Sequence, residues 1–322
     1  MTGRRRLFVR YSVSALVAGF AAYTLWRLVD WSVVLRTLRT VSLPVYLLAV
    51  PAYYLTVPVR TARWRLLLDE SGVDSDWRSA TTVVFLSLFL NTVLPAKGGD
   101  LYRAHVGGRL YDAMRSVVLG TVTVERTLDL TVLLAGVMVA VTGLSSVTLS
   151  GGRRLLVLSG VALAVLGALT GVVLIGPHLG LPAPFDEYIA EFHAGFTSVS
   201  SISTFASVVG LTAVLWGLNV ARIWVIVTAI QLELGLFSIL LVALVISVLT
   251  GLPYTPAGVG VVEVAGTTLL LALGTSGGTG FSVVVLDRLV SVGSVVLIGG
   301  VVYAVGPERY RPVTATESDP PV

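Results

Sequence analysis

The sequence has no cysteine and only three histidines among its 322 residues. Disulfides, thiolate metal sites and thiol nucleophiles are therefore excluded. No two histidines are four residues apart, as helical metal ligands often are, and no P-loop sequence for nucleotide phosphates occurs. We therefore predict neither a metal nor a cofactor.

Charged residues are also scarce, at 12% of the sequence, whereas hydrophobic residues make up 55%. A soluble domain carries about 25% charged residues. Together with a mean hydropathy of +0.90, this composition indicates a polytopic membrane protein. The formal net charge of +4 does not indicate nucleic-acid binding, because arginine accumulates in the cytoplasmic loops of membrane proteins.

Long apolar runs supply the spans, since a full crossing needs about 20 apolar residues. Six segments reach that length: residues 7–26, 43–62, 116–141, 155–174, 206–230 and 281–305. Arginines at positions 4, 5, 6 and 10 indicate that the chain begins in the cytoplasm. An even number of crossings returns the C-terminus to the same side. We therefore predict a multi-pass protein of the cell membrane with both termini cytoplasmic.

Two further apolar stretches are interrupted by proline and glycine. The first contains LPAKGGD at residues 94–100, and the second contains LPYTPAGVGVVE at residues 252–263. A helix break inside hydrocarbon leaves backbone groups unpaired, so such breaks persist where they line a cavity or are enclosed by protein. In transporters, interrupted segments of this kind mark the binding site. The residues predicted to break the backbone are Pro95, Gly98, Gly99, Pro253, Pro256, Gly258 and Gly260.

The two breaks belong to an internal repeat. Four landmarks recur in order, 158 to 163 residues apart: ARW and ARIW, Pro95 and Pro253, Asp100 and Glu263, and the acid–arginine pairs at 125–126 and 287–288. Under the predicted topology the first copy begins outside and the second inside, which is the inverted arrangement of many secondary transporters. The predicted fold class is an all-α polytopic membrane protein of two inverted-topology repeats. It would have about six full spans and two re-entrant helical hairpins.

The domain organisation follows from this repeat. We expect an N-terminal span and connector at 1–42, repeat 1 at 43–175, a connector at 176–205, repeat 2 at 206–305 and a disordered cytoplasmic tail at 306–322. In the second connector, apolar residues recur every three or four positions from Phe185 to Val199. This pattern is typical of a helix that lies along the membrane surface. A connector packed against the helix bundle fits the pattern equally well.

Charges inside the predicted spans are the strongest chemical signal. A charge near the bilayer centre costs roughly 2.5–3.5 kcal/mol on insertion scales, and such residues usually face the bundle interior and pair. Arginine stays charged when desolvated and its planar fork suits phosphate, so we predict that Arg126 and Arg288 bind an anionic group, most simply a lipid phosphate. Internal ion pairs between the repeats are the alternative. The predicted substrate-binding residues are Arg126, Arg288, Glu125, Asp129, Asp287, Asp100, Glu263, Lys97 and Arg103.

Other charges near the breaks allow two interpretations. Asp100 and Glu263 follow the glycines, where a carboxylate caps the positive end of a half-helix or exchanges protons during transport. Lys97 and Arg103 either attract lipid headgroups or only follow the positive-inside rule. Arg63 and Arg222 are expected to snorkel to an interface.

At these residues the chain resembles the lysylphosphatidylglycerol synthase transmembrane-domain family. The motifs are LNTVLPAKGGDLYR at 90–103, ERTLD at 125–129, and LPYTPAGVGVVE at 252–263 followed by a later Asp-Arg. The resemblance covers roughly residues 43–305. It implies an integral membrane protein that moves a phospholipid or a modified lipid between leaflets. Synthesis of an aminoacyl-lipid is not implied.

The predicted function is therefore that of a flippase-like transporter, with no enzymatic activity. A lipid headgroup would pass through a polar crevice at the repeat interface, and membrane lipid would be the partner. A secondary transporter of a small soluble anion is the alternative. An intramembrane enzyme acting on lipid phosphates ranks below both, because no serine–histidine pair or metal cluster lies beside the breaks. A homo-oligomer, the lipid species and the energy coupling stay open.

Overall fold

The computed structural model describes residues 23–27, 29–94, 97–144, 149–175, 185–197, 199, 201–251 and 255–311. These residues are predominantly helical and include no β-strand, which agrees with the predicted all-α class. Pro95, Pro253, most of the first predicted span and the C-terminal tail from residue 312 lie outside the described residues.

The helices follow one another along the chain with short connections. They are α1 (Trp31–Arg39), α2 (Leu43–Leu47), α3 (Ala49–Tyr54), α4 (Thr56–Glu70), α5 (Trp77–Val93), α6 (Gly98–Leu110), α7 (Arg115–Gly143), α8 (Leu149–Ile175), α9 (Phe185–Phe196), α10 (Ile202–Ala229), α11 (Leu236–Gly251), α12 (Val261–Ala272), α13 (Gly277–Arg288) and α14 (Ser294–Val305). Single turns of 3₁₀-helix lie at Pro256–Gly258 and Glu308–Tyr310.

Four helical stretches of the described chain are long and apolar enough to cross a membrane: Leu43–Glu70, Arg154–Leu174, Ile202–Ala229 and Gly277–Val305. The total of six full spans stays a prediction. The stretch predicted at 43–62 runs on to Glu70 as three segments, α2 to α4. Proline at position 51 contributes to the first interruption, because it has no N–H to donate to the carbonyl four residues earlier.

The chain divides into two compact units, each of which contains one of the two breaks. The first-break unit consists of Val57–Leu128, Ala168–Thr212 and Ser294–Val322. The second-break unit consists of Met1–Thr56, Asp129–Gly167 and Ala213–Gly293. The predicted repeat boundaries are continuous in sequence and stay a prediction.

In the first-break unit, α5 and α6 form an antiparallel hairpin. The Ser79 hydroxyl near the start of α5 lies 2.9 Å from the Tyr111 hydroxyl, just after α6 ends. At the other end, Gly99 touches α5 so closely that an added Cβ would lie 2.1 Å from the Ser87 carbonyl oxygen. The unit's core is formed by buried side chains of α4 to α7, including Trp64, Leu68, Val83, Leu86, Val106 and Val118.

In the second-break unit, α11 and α12 form the corresponding hairpin. Gly266 of α12 faces Ile246 of α11, and Gly258 in the break faces the Leu249 carbonyl. The core of this unit is formed by buried side chains of α10, α11 and α13, including Ile223, Ile226, Val242, Ile246 and Val283. Both interrupted stretches therefore fold as helical hairpins, as predicted, and their re-entry from one membrane face stays a prediction.

The connector helix α9 packs directly on α7 within the first-break unit. An added Cβ on Gly195 would lie 2.1 Å from the Val117 carbonyl oxygen, and one on Gly120 would lie 2.4 Å from the Phe192 carbonyl oxygen. The Glu191 carboxylate also accepts a hydrogen bond from the Ser116 hydroxyl. The contacts show that α9 packs against α7, and its position along the membrane surface stays a prediction.

Candidate functional site

Glu125 is the centre of a buried charge cluster in the first-break unit. Its side chain on α7 is 3% exposed and accepts a hydrogen bond from Arg63 Nε of α4 at 3.0 Å. Its second carboxylate oxygen accepts from Arg103 of α6. Arg63 also donates to the Thr212 hydroxyl at 2.9 Å. The Glu125 carboxylate therefore links α4, the helix before the hairpin, to α6, the second helix of the hairpin.

Arg103 is held between this carboxylate and an aromatic ring. Its guanidinium carbon lies 4.2 Å from the ring centroid of Trp64, which is the distance of a cation–π contact. The indole N–H of Trp64 in turn donates to the Thr121 hydroxyl at 3.2 Å. Arg103 Nε is buried and has no acceptor among the described residues.

Arg126, the next residue after Glu125, makes a separate and more exposed pair. Its Nε and one terminal nitrogen donate to the two Asp100 carboxylate oxygens at 2.8 and 2.5 Å. The Asn91 side chain of α5 links the two sides of the break. Its amide nitrogen donates to Asp100 and its amide oxygen accepts from the Gly99 backbone N–H, both at 3.0 Å. The Arg126 side chain is 35% exposed, so this pair can be reached from outside the protein.

Lys97 is the residue immediately before α6 and has a left-handed backbone, at φ 58°. It lies within electrostatic range of Arg60, Asp100 and Arg126. A non-glycine residue in this conformation carries a conformational cost of order 1–3 kcal/mol, and such residues cluster at functional sites.

In the second-break unit, Arg222 takes the role of Arg63. Its Nε donates to Asp287 at 2.7 Å, and a terminal nitrogen donates to the Asn219 side-chain oxygen at 2.9 Å. Its guanidinium lies 5.2 Å from the Tyr53 ring centroid. Asp287 is fully buried.

Arg288 takes the role of Arg126 but is held more completely. Its Nε donates to Glu263 at 3.1 Å, and another nitrogen donates to the carbonyl oxygen of Ala257 inside the break. A third contact reaches the Thr250 hydroxyl at 3.4 Å. Glu263 also accepts from the Gly260 amide at 2.6 Å. Arg288, whose side chain is 9% exposed, therefore holds the backbone of the second break against α13.

Corresponding residues of the two predicted copies thus make corresponding pairs, each within its own unit. The arginine before the hairpin binds the acid of the acid–arginine pair, and the arginine of that pair binds the carboxylate after the glycines. Neighbouring residues on a helix point about 100° apart, so each acid–arginine pair serves two different partners. The two helices that carry the acid–arginine pairs differ beyond those pairs. A π-helical segment at Leu289–Gly293 follows Arg288, whereas α7 stays α-helical to Gly143.

The structure brings Glu125 together with Arg103, Arg126 with Asp100, and Arg288 with Glu263. Asp287 pairs with Arg222, and Asp129 is buried one turn beyond Glu125 on α7. Gly98, Gly99, Pro256, Gly258 and Gly260 all lie at the breaks. Whether the set binds substrate stays a prediction.

The prediction that Arg63 and Arg222 snorkel is wrong. Both are buried, because each has a carboxylate on a facing helix to pair with. Sequence analysis therefore missed both as members of the charge clusters, although their regular place in the repeat was a signal. It also missed Asn91 and Asn219, which carry no charge and so do not stand out in a span.

A separate groove of about 420 Å³ lies in the second-break unit between α7, α10 and α11. Its lining, which includes Trp216, Val220, Leu240 and Leu244, contains no charged side chain. It is therefore unsuited to bind an anionic headgroup, and the charge clusters are the better candidates. Among the described residues, no group of three or more His, Cys, Asp or Glu side chains is arranged to hold a metal ion.

Comparison with known proteins identifies the family. The UPF0104 membrane protein MJ1078 of Methanocaldococcus jannaschii is 26% identical over 221 residues, which cover 67% of this chain and 93% of that protein. The UPF0104 membrane protein PH1989 of Pyrococcus horikoshii is 24% identical over 307 residues, covering 84% of this chain and 90% of that protein. Glycosyltransferase AglD of Haloferax volcanii is 28% identical over 339 residues, covering 92% of this chain but only 54% of AglD.

The family model described as the lysylphosphatidylglycerol synthase TM region matches residues 8–299. That range covers nearly the whole sequence, including both breaks and both charge clusters. The chain is a membrane protein and belongs to the family of the lysylphosphatidylglycerol synthase TM region.

Proposed function

We propose that this protein moves a phospholipid, or another lipid with a phosphate in its headgroup, between the leaflets of the cell membrane. The observation that carries the proposal is the pair of apolar helical hairpins in a chain of this family, each closed at its break by an arginine–carboxylate pair. Broken helices with charges at the break are typical of transporter binding sites. The two copies are proposed to have inverted topology.

The chemistry of the first break supports a phosphate as the recognised group. Arg126 presents a planar fork that binds phosphate as readily as carboxylate, and it is the most exposed arginine of the buried pairs. In the proposed mechanism the headgroup phosphate takes the place of Asp100 on Arg126, while the lipid tails stay in the bilayer. Asp100 re-forms its ion pair with Arg126 when the headgroup leaves, so the arginine has an anionic partner at each stage.

The relatives support a lipid substrate only in broad terms. The family is named after a synthase of lysylphosphatidylglycerol, and one relative is named a glycosyltransferase. The first name refers to a membrane lipid and the second to glycosyl transfer, and the part shared with AglD is about half of that protein. The proposal for this chain is transport without catalysis.

The test is lipid translocation by the purified protein in liposomes that contain a fluorescent phosphatidylglycerol. A membrane-impermeant reductant quenches the outer leaflet, so continued quenching reports lipids that reach it from the inside. We expect Arg126→Gln to slow translocation roughly tenfold to a hundredfold, because a hydrogen bond to a charged group contributes about 1.5–3 kcal/mol. Arg115→Gln is the matched control, since Arg115 is an exposed arginine at the start of the same helix.

Two results would contradict the proposal. One is a wild-type rate equal to that of protein-free liposomes, together with uptake of a soluble anion, which would favour the alternative transporter. The other is release of headgroup or phosphate from the lipid by the purified protein, which would favour an enzyme. Thermal unfolding of each variant separates a lost function from a lost fold.

A further inference from the structure

Helix α1, at Trp31–Arg39, is too short and too charged to cross a membrane. Its nine residues extend about 14 Å, whereas the hydrocarbon core of a bilayer is about 30 Å thick. Two of the nine residues are arginines, Arg36 and Arg39. The carboxylate of Asp30 caps the first turn by accepting two backbone N–H groups, at 2.9 and 3.4 Å. The helix is therefore a defined element, and its packing decides where it lies relative to the bilayer.

One side of α1 packs on the first turns of α13. An added Cβ on Gly278 would lie 2.6 Å from Val33 Cβ and 2.8 Å from the Asp30 carbonyl oxygen. The ring of Trp31 meets the ring of Phe281 edge to face, with the centroids 5.5 Å apart. Helix α1 is thus held against α13, and both helices belong to the second-break unit.

Three of the helical stretches that are long enough to cross a membrane have an end beside α1. Gly277–Val305 begins where α1 packs, and Leu43–Glu70 begins shortly after α1 ends. Ile202–Ala229 ends there, because the backbone N–H of Ser42 donates to the Ala229 carbonyl oxygen at 2.8 Å. The predicted topology places all three ends on the outer side of the membrane. The packing of α1 therefore places it at the boundary between hydrocarbon and water.

The remaining surface of α1 is divided between an apolar side and an arginine side. Successive residues of a helix point about 100° apart, which puts Trp31, Leu35 and Leu38 on one side. All three are exposed, Leu35 the most at 57%. Arg36 and Arg39 are also exposed and lie on the adjoining side, away from α13. A helix with this division buries its apolar side in the membrane surface and keeps its charges among the lipid headgroups.

The charge of this segment favours anionic lipid as the partner. Residues 27–42 contain three arginines and one carboxylate, that of Asp30, which caps the helix. An anionic bilayer surface attracts each arginine near it by roughly fivefold in affinity. The planar fork of arginine also suits the phosphate of a lipid headgroup.

We propose that α1 lies flat in the membrane surface, where Arg36 and Arg39 bind the phosphate groups of anionic phospholipids and Leu35 and Leu38 enter the edge of the hydrocarbon. These lipids surround the protein and are distinct from the lipid that it is proposed to move, so the inference does not rest on the proposed function. Because α1 packs on the start of α13, the bound lipids hold that helix at a fixed depth in the bilayer.

The absence of cysteine allows a site-specific test in the full-length protein. Leu38→Cys is labelled with the fluorophore bimane and reconstituted in liposomes of phosphatidylcholine and phosphatidylglycerol in equal amounts. One of the two lipids is brominated near the top of its acyl chains. Bromine quenches bimane on contact, so exchanging the brominated lipid reports which lipid is enriched beside α1.

Leu236→Cys, at the start of α11, provides the matched control position. Leu236 is exposed, and a short loop joins it to the same end of α10, at Ala229. The nearest charge to it in the sequence is a carboxylate, Glu233, instead of an arginine. Its label should therefore contact the same leaflet without attracting anionic lipid.

We expect phosphatidylglycerol to be enriched at least fivefold beside the Leu38 label and less than about twofold beside the Leu236 label. Combining Arg36→Gln with Arg39→Gln should remove the enrichment at Leu38, because it removes both charges. Raising the salt concentration to about 1 M should do the same in the protein that keeps its arginines, since the Debye length falls to about 3 Å. A label at Ser32→Cys, about 120° around the helix from Leu38, should be quenched much less by either lipid.

Three results would overturn the proposal. Equal contact of the Leu38 label with the two lipids, or enrichment that survives the double glutamine variant, would exclude recognition of anionic lipid. A Leu38 label that neither lipid quenches would show that protein, such as a second copy of this chain, covers the apolar side. The Tm of the double variant in detergent should stay within about 2 °C of the parent, because both positions are exposed.

The outcome is separable from that of the proposed function. Lipid translocation without enrichment of phosphatidylglycerol at Leu38 would refute this inference and leave the proposed function standing. Enrichment at Leu38 in a protein that moves no lipid would do the reverse.

Discussion

Breaking the Arg222–Asp287 pair should destabilise the protein strongly, and removing both charges together should not. Asp287 is fully buried and lies 2.7 Å from Arg222 Nε. Arg222→Met leaves that carboxylate without its counter-ion, which costs about 3–5 kcal/mol for a buried pair. Arg222→Met combined with Asp287→Leu removes both desolvated charges, and such a replacement is often neutral or stabilising. We therefore expect the double variant to recover most of the loss.

The corresponding single and double variants of Arg63 and Glu125 should give a different result. Arg63→Met leaves Glu125 paired with Arg103, so we expect a smaller loss than for Arg222→Met. The double variant Arg63→Met/Glu125→Leu removes the carboxylate that pairs with Arg103, so it should not recover stability. The coupling energy between partners is therefore expected to be large for Arg222 and Asp287 and smaller for Arg63 and Glu125.

Equilibrium unfolding in mixed detergent, followed by tryptophan fluorescence, measures these free energies of unfolding. Arg36→Met on α1 is the control, because Arg36 is exposed and exposed positions usually change stability by less than about 0.5 kcal/mol. A loss below about 1 kcal/mol for Arg222→Met would refute the reasoning. So would a double variant that is no more stable than Arg222→Met alone.

Two further predictions concern the hairpin around the first break. Gly99→Ala should cost about 1–3 kcal/mol of unfolding free energy, because the added Cβ would overlap the Ser87 carbonyl oxygen. Gly217→Ala is the control, since a Cβ at Gly217 would meet nothing within 4 Å. Equal losses of stability in the two variants would contradict the packing argument. At the start of α5, hydrogen bonds from the Ser79 hydroxyl and amide lower the pKa of Asp76 below its usual value of 3.8. The cap should therefore contribute stability above about pH 4 and lose it as the pH falls through that lowered value. Asp76→Ala should cost about 1 kcal/mol at neutral pH, and Asp76→Asn should keep the cap without its pH dependence, which unfolding at pH 7 and pH 3 measures.

Sequence analysis predicted the elements of this fold better than their contacts. The apolar runs and the proline–glycine breaks predicted the two hairpins, because the length of an apolar run and the backbone properties of proline and glycine are local features of the sequence. The end of α4 was placed eight residues early, at position 62 instead of Glu70, since its last two turns carry arginines that hydropathy counts as exposed. Arg63 can be buried because it pairs with a facing carboxylate on α7, and a tertiary partner of that kind cannot be predicted from the sequence of one segment.

The pairing itself follows from a single dipeptide in each copy. An acid followed directly by an arginine on one helix must send the two charges in directions about 100° apart. In both copies the acid reaches the helix before the hairpin and the arginine reaches the half-helix after the break. Two residues therefore fix three helices, which explains why the pattern is the same in both units although the surrounding side chains differ.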